Sequence, residues 1–177
     1  GFVLGGTAYG AVNLAPGLPV SQNFDSIDSS DIATLPSGWK VDKLTSVRTA
    51  GRYDAAGDQT ENGATIAKNG IYNFGSPSAS GADRSVGFLS SSSVTKSGNL
   101  YVQLVNAGAA AIPSLDVSYT VEKYRNGSNP AGFRIQLFFS PDGVNWTSAG
   151  EDFFTGFSPD GNTETFPVAP GETVAVS

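Results

Sequence analysis

The aromatic side chains of this chain are its clearest candidates for binding chemistry. The sequence contains 2 Trp, 6 Tyr and 11 Phe. Rings of this kind can lie against the apolar faces of sugars, while amide groups around them bond to the hydroxyls. A role in packing competes with this interpretation, most directly for a Trp that follows a turn. The candidate ligand aromatics are Trp146, Tyr101, Tyr124 and Phe138, and Trp39 is expected to cap the core.

The residue types needed for most catalytic chemistry are missing. The sequence has no His and no Cys, so it cannot build an ordinary zinc site, a Ser-His or Cys-His nucleophile pair, or a disulfide. A glycosidase would need two carboxylates across a cleft. The adjacent Glu151 and Asp152 would point to opposite faces of a strand, which does not meet that need. The sequence therefore predicts a protein that is not an enzyme.

Calcium is the metal that the acidic residues could hold. Asp25, Asp28 and Asp31 are loosely spaced in one segment, and Asp58 with Glu61 forms a second candidate loop. Carboxylates are the hard oxygen ligands that calcium takes, but no spacing here matches an EF-hand. Solvated loop carboxylates are the competing interpretation, and the prediction is no cofactor, with calcium kept as an alternative.

Charge and composition restrict the partners and the compartment. The net charge is −6, with only 10 Lys and Arg, which argues against nucleic-acid binding. No apolar run approaches the roughly twenty residues of a membrane-spanning helix. The chain has no Met, so Gly1 is expected to be a processed terminus or a boundary. A composition rich in Ser, Gly and Thr favours a secreted or cell-surface protein.

Alternation of apolar and polar residues predicts the elements that position these side chains. Leu115, Val117, Tyr119 and Val121 fall on one side of a strand, and Phe133, Ile135, Leu137 and Phe139 repeat the pattern. Phe138 is the one apolar residue on the outward side. A period of two is typical of strands with one buried face. We expect an all-β protein, an antiparallel β-sandwich of jelly-roll type, at 21–177, preceded by an extended strand and linker at 1–20.

Turn residues divide the chain into further short strands. Pro141, Asp142 and Gly143 predict a tight hairpin turn, and residues 50–70 are expected to form a loop. The predicted strands are Ile71–Phe74, Val86–Leu89, Leu100–Val105, Ser114–Tyr124, Gly132–Ser140, Glu151–Phe157 and Thr173–Val176.

An ordered series of motifs resembles the jelly-roll domains of secreted bacterial proteins, over residues 21–158. The motifs are Gln22-Asn23-Phe24-Asp25, Leu35-Pro36-Ser37-Gly38-Trp39, Tyr72-Asn73-Phe74-Gly75-Ser76, Asp83-Arg84 with Gly87-Phe88-Leu89, Leu100-Tyr101-Val102-Gln103, Val121-Glu122-Lys123-Tyr124-Arg125-Asn126-Gly127 and Ser140-Pro141-Asp142-Gly143-Val144-Asn145-Trp146. The resemblance implies an accessory domain, of the kind found beside nucleases, adhesins and anchoring modules. Such domains start near the first motif and continue past a segment like Pro170–Val174 into further strands.

The N-terminal segment departs from that pattern and suggests a way to assemble. Residues 1–20 carry no charge, and every even position from 2 to 14 is apolar or small. A sandwich short of closing strands leaves unpaired backbone groups and an apolar groove. A donated strand from a neighbouring copy could fill both, and repetition would give a filament. A strand paired within its own chain and a free tail are the alternatives. The predicted assembly residues are Phe2, Leu4, Ala8, Val12 and Leu14.

Two functions from different classes therefore stay open. The first is an extracellular structural protein, whose partners are copies of itself in a filament or surface assembly. The second is a non-catalytic carbohydrate-binding or adhesin module of a larger secreted protein, whose partners are glycans.

Overall fold

The computed structural model describes residues 10–27, 32–41, 49–52, 71–75, 83–89, 98–127, 130–163, 167 and 169–177. These residues form short strands and two 3₁₀ turns, Asp25–Ile27 and Glu151–Phe153, and none of them lies in an α-helix. The predicted all-β class is confirmed. In this part of the chain, no helix is long and apolar enough to cross a membrane.

The strands are short, between two and five residues each. In chain order they are β1 (Val12–Leu14), β2 (Ile32–Thr34), β3 (Trp39–Val41), β4 (Thr49–Arg52), β5 (Ile71–Phe74), β6 (Ser85–Phe88), β7 (Leu100–Val102), β8 (Leu104–Asn106), β9 (Tyr119–Lys123), β10 (Phe133–Gln136), β11 (Phe138–Phe139), β12 (Thr147–Ser148), β13 (Phe154–Phe157) and β14 (Glu172–Val176).

The chain divides into two compact units, Gly1–Pro113 and Ser114–Ser177. In the first unit, β2, β4, β5 and β6 form a four-stranded sheet in that order, β3 pairs with β7, and β1 pairs with β8. The pairs β4–β5 and β1–β8 are parallel, and the other pairs in this unit are antiparallel. Residues 50–52 belong to β4, so the loop predicted at 50–70 is wrong at its start, and 53–70 lie outside the described residues.

The first unit contains the buried polar pair Arg84 and Asn73, and it also has an apolar core. The buried members of this core are Ile27, Ala33, Leu35 and Val41, and Trp39 packs against them with its ring edge-on to Phe24 at 4.9 Å between centroids. Trp39 is thus a core residue, as the sequence predicted.

The guanidinium of Arg84 is buried in the same unit. Its Nε donates to Oδ1 of Asn73 at 2.8 Å, and Nη2 donates to the Asn73 carbonyl at 3.0 Å. A buried charge is tolerated only when its donors are satisfied in this way.

The second unit is built from antiparallel pairs: β9 with β14, β10 with β13, and β11 with β12. Its core joins β9, β13 and β14 through Val121, Phe157 and Val176, with Tyr119 and Phe133 packed against them. The alternation predicted for Tyr119 and Val121 is therefore observed, because both contribute to this cluster.

Four predicted strands differ from the structure. Leu100–Val105 is divided at Gln103 into β7 and β8, and Gly132–Ser140 is divided at Leu137 into β10 and β11. Residues 114–118 are not in a strand, and Leu115 and Val117 are exposed although the alternation predicted them inward. The register explains this, because β14 pairs with β9 only as far as Val176 opposite Tyr119, and no described strand lies beside 114–118. Residues Glu151–Phe153 form a 3₁₀ turn, so the predicted strand at 151–157 begins only at Phe154.

Candidate functional site

In the hairpin of the second unit, β10 and β11 are separated only by Leu137, and we call residues 133–139 the long strand. The strand that returns beside it is interrupted. Strand β13 pairs with β10, and β12 pairs with β11. Between them, the Leu137 N–H donates to the Phe153 carbonyl at 3.2 Å, and the Leu137 carbonyl accepts from the Ala149 N–H at 2.9 Å. Because both groups of Leu137 bond to the returning chain, the long strand stays extended and its side chains continue to alternate.

Three exposed aromatic side chains fall on one face of this hairpin. Phe138 lies opposite Ser148, and Trp146 is two residues from Ser148, so it shares that face as a diagonal neighbour of Phe138. Phe154 lies opposite Gln136, which is two residues before Phe138 and on the same face. The three side chains are between 42% and 49% exposed. We call Phe138, Trp146 and Phe154 the outer aromatic strip.

The turn between β11 and β12 is fixed by Asp142. Its Oδ1 accepts from the backbone N–H groups of Val144 and Asn145, each at 2.8 Å, and Oδ2 accepts from the Asn145 side chain. The Ser140 hydroxyl donates to the same carboxylate at 2.9 Å. These bonds, those from Asn145 first, hold the pKa of Asp142 far below its usual value. These bonds join the residues of the turn that directly precedes Trp146.

The other end of the strip is supported by Gln136 and Gly156. The Gln136 amide donates to the Gly150 carbonyl at 3.0 Å, which ties down the interruption in the return strand. A Cβ at Gly156 would lie 3.3 Å from the Phe154 ring, so the ring lies over this glycine. A larger residue at this position would push the ring away from the face.

The opposite face of the hairpin is apolar and only partly covered. Phe133 and Phe157 belong to the core, but Ile135 and Phe139, on the same face, are 40% and 57% exposed. Leu115 and Val117, which continue the inward positions of β9, are 53% and 37% exposed.

The start of β9 lies at the β11–β12 end of the second unit. Lys123 bonds to Ser158, and Tyr119 bonds to Phe153 and stacks on its ring, so β9 and β13 run in the same direction. Leu115 and Val117 precede this end of β9 in the chain. We call Leu115, Val117, Ile135 and Phe139 the open inner face.

The predicted assembly strand is partly paired within its own chain. Val12 and Leu14 are half-buried in β1, which runs parallel to β8. The Val12 N–H donates to the Gln103 carbonyl at 2.8 Å, and the Leu14 carbonyl accepts from Ala107 at 2.9 Å. Val12 and Leu14 are therefore paired within their own chain in this structure, which is the self-paired alternative for this part of the segment. Phe2, Leu4 and Ala8 lie outside the described residues.

The four predicted ligand aromatics are not one cluster. Phe138 and Trp146 meet on the outer face of the hairpin, but Tyr101 is a half-buried residue of β7 in the other unit. Tyr124 is buried, with its hydroxyl 3.3 Å from Glu122 Oε2, so its ring cannot stack on a ligand.

In the part of the chain that is described, no three acidic residues lie close enough together to hold a metal ion. Asp25 accepts hydrogen bonds from the Arg84 backbone N–H and the Asn23 side chain. Glu151 and Asp152 are both exposed on the 3₁₀ turn. Asp28, Asp31, Asp58 and Glu61, the other candidate ligands, lie outside the described residues.

Comparison of the chain with protein-family models, curated proteins and solved structures finds no match. The two faces of the hairpin are therefore interpreted from their own chemistry. Sequence reasoning missed Phe154 as part of the outer face. A register count could have found it, because an antiparallel hairpin that pairs Phe133 with Phe157 also pairs Gln136 with Phe154.

Proposed function

We propose that this chain is a non-enzymatic, extracellular structural protein that joins copies of itself by strand donation. The donor is the N-terminal segment 1–9 of one copy, and the acceptor is the open inner face of its neighbour. A head-to-tail contact of this kind propagates into a filament or a surface layer unless its rotation closes a ring. The secreted location follows from composition, and the jelly-roll topology remains part of the proposal.

One observation carries the proposal: the inner face of the second unit is open. Ile135 and Phe139 lie on the inner face of the hairpin, and Leu115 and Val117 are inward only in the sequence alternation that precedes β9. The exposed fractions of these four residues together equal about two whole residues. Burying that much apolar surface would contribute about 3–6 kcal/mol. Residues 114–118 also have backbone groups that no described strand pairs, and an added strand would bond to them.

The donor fits this acceptor in chemistry and in length. Residues 1–9 carry no charge, and their even positions are Phe2, Leu4, Gly6 and Ala8. Nine extended residues reach about 30 Å. The segment is followed by β1, whose bonds to β8 would anchor the donor to its own subunit.

The decisive experiment uses two defective variants and their mixture. Deletion of residues 1–9 removes the donor and leaves β1 intact, while Phe139→Asp places a charge in the acceptor. Each variant alone is expected to stay monomeric by analytical ultracentrifugation and to show no fibres by electron microscopy. Mixed together, they should form a dimer, because one supplies the donor and the other the acceptor.

Matched controls separate donation from general loss of solubility or folding. Thr7→Asp adds the same charge as Leu4→Asp at an odd, outward position of the donor, so only Leu4→Asp should block assembly. Ile135→Asp is a second acceptor variant, in case Phe139→Asp fails to fold. Assembly by the deleted chain alone, or a mixture that stays monomeric while both variants are folded, would overturn the proposal.

A further inference from the structure

We infer that the outer aromatic strip is a second binding surface, which takes an uncharged polysaccharide of pyranose rings. This surface is on the opposite face of the hairpin from the open inner face, and the inference does not depend on the proposed assembly. It also differs from a core role, because Phe138, Trp146 and Phe154 each keep more than two fifths of their surface exposed.

The rings are arranged along a line. One strand face carries three successive positions. The first two are the Gln136–Phe154 pair and the Phe138–Ser148 pair, and the same register continued past Phe139 and Thr147 places Ser140 beside Trp146. Four residues of strand separate the first from the last, which is about 14 Å. A line of rings at this scale spans several sugar units of an extended chain, so the surface fits a polymer better than a monosaccharide.

The polar groups between the rings suit hydroxyl ligands. Gln136, Ser140 and Ser148 share the face with the three rings, so polar groups alternate with apolar surface. The Gln136 amide and the Ser140 hydroxyl donate within the hairpin, so the groups offered to a sugar are the Gln136 Oε1 acceptor and the hydrogen of the Ser148 hydroxyl, whose oxygen accepts from the Gly150 N–H at 3.2 Å. Sugars present the same combination, with C–H faces beside hydroxyl groups. A lipid or an apolar helix would instead need a continuous apolar face.

Charge complementarity favours an uncharged ligand. At its strand positions the face has no carboxylate and carries the charge of Arg134, beside Gly156 at the Phe154 end. The turns that border it carry the exposed carboxylates of Asp142, Glu151 and Asp152. The chain as a whole has a net charge of −6, which repels an acidic polymer. A neutral glycan is not repelled by this charge, and Arg134 can donate hydrogen bonds to its hydroxyls.

The face is held in shape before any ligand binds. The Asp142 bonds fix the turn before Trp146, the Gln136 amide fixes the interruption beside Phe154, and Gly156 leaves room for the Phe154 ring. A rigid surface of rings loses little conformational entropy on binding, which is the general advantage of preorganised sites.

The test is affinity electrophoresis of the purified chain in gels containing soluble neutral polysaccharides, with alginate as the acidic arm. Retardation by a neutral glycan should fall about tenfold in Trp146→Ala and again in Phe138→Ala, a loss that corresponds to about 1.4 kcal/mol for each ring. Val144→Ala, at an exposed apolar residue in the same turn, should bind normally.

The outcomes are distinguishable from those of the assembly proposal. Near-ultraviolet circular dichroism of each variant checks that the hairpin is folded, and Gly156→Val, which displaces the Phe154 ring without removing it, should also weaken binding. Retardation by alginate alone, retardation unchanged by loss of the rings, or no retardation by any glycan would overturn the inference. The deletion of residues 1–9 should bind glycan like the full chain, because it leaves the strip untouched.

Discussion

Lys123 offers a quantitative test of how the second unit is packed. Its side chain is only 4% exposed, and its ammonium donates to the Ser158 carbonyl at 2.7 Å and to the carboxylate of Asp160. The stem is buried, while Asp160 stands largely in solvent. We therefore expect that the stem of Lys123 stabilises the unit more than its charge does.

The magnitudes follow from the groups removed. Lys123→Ala deletes three buried methylenes, which costs about 2–3 kcal/mol at roughly 0.8 kcal/mol each. Any cavity that remains adds to this cost. Lys123→Met keeps a chain of similar length, and the Asp160 carboxylate that loses its partner is 45% exposed and can be solvated, so we expect a change within about 1 kcal/mol.

Urea unfolding followed by the fluorescence of Trp146 measures these changes. Trp39 is first replaced by Phe, because it belongs to the other unit and would mix a second transition into the signal. If Lys123→Met destabilises the unit as much as Lys123→Ala, the bonds of the ammonium dominate and the reasoning is refuted.

Three further predictions concern the same two units. The hydrogen bond from the buried ammonium holds the pKa of Asp160 below its ordinary value of 3.8, so its contribution to stability is present above that value. It is lost as the pH falls through the lower, folded value, and the urea midpoint should drop below about pH 4. Gly132→Ala should cost about 2 kcal/mol or more, because φ is +72° and the new Cβ would collide with the Phe157 carbonyl. Arg84→Met should destabilise the first unit by about 2–4 kcal/mol, because two acceptors of Asn73 lose their donor.

Each of these three predictions has a control variant. Asp160→Asn should flatten the acid branch of the pH profile, and an unchanged branch would contradict the assignment. Gly161→Ala adds a methyl group where nothing lies within 4 Å, so it should be nearly silent by the same urea assay. Arg84→Lys keeps the charge without the planar fork, and it should recover only part of the stability measured by Trp39 fluorescence.

The all-β class of the fold and part of the outer aromatic strip could be predicted from the sequence. Alternation depends only on the geometry of a strand, so it placed Phe133 and Val121 inward and Phe138 outward before any partner strand was known. The tight turn at Pro141–Gly143 follows from the conformations that these residue types favour. The aromatic type of Trp146 and Phe138 is enough to predict both as ligand residues.

The remaining features depend on pairing, which alternation does not encode. Leu115 and Val117 continue the pattern of β9, but without a neighbouring strand their segment is not a strand. The 3₁₀ turn at Glu151–Phe153 is fixed by where Leu137 bonds to the return chain, a contact between residues far apart in sequence. Tyr124 has the composition of a ligand residue, and only the structure reveals that it is buried.

The direction of β1 has a mechanical consequence. Strands β1 and β8 run parallel. A force that pulls the N-terminal end of β1 away from Ala107, at the C-terminal end of β8, therefore acts along both strands in opposite directions. The bonds of Val12 and Leu14 are then loaded together in shear instead of opening one after another like a zipper. The attachment of this segment to its own subunit would resist stretching better than an antiparallel hairpin pulled from its open end.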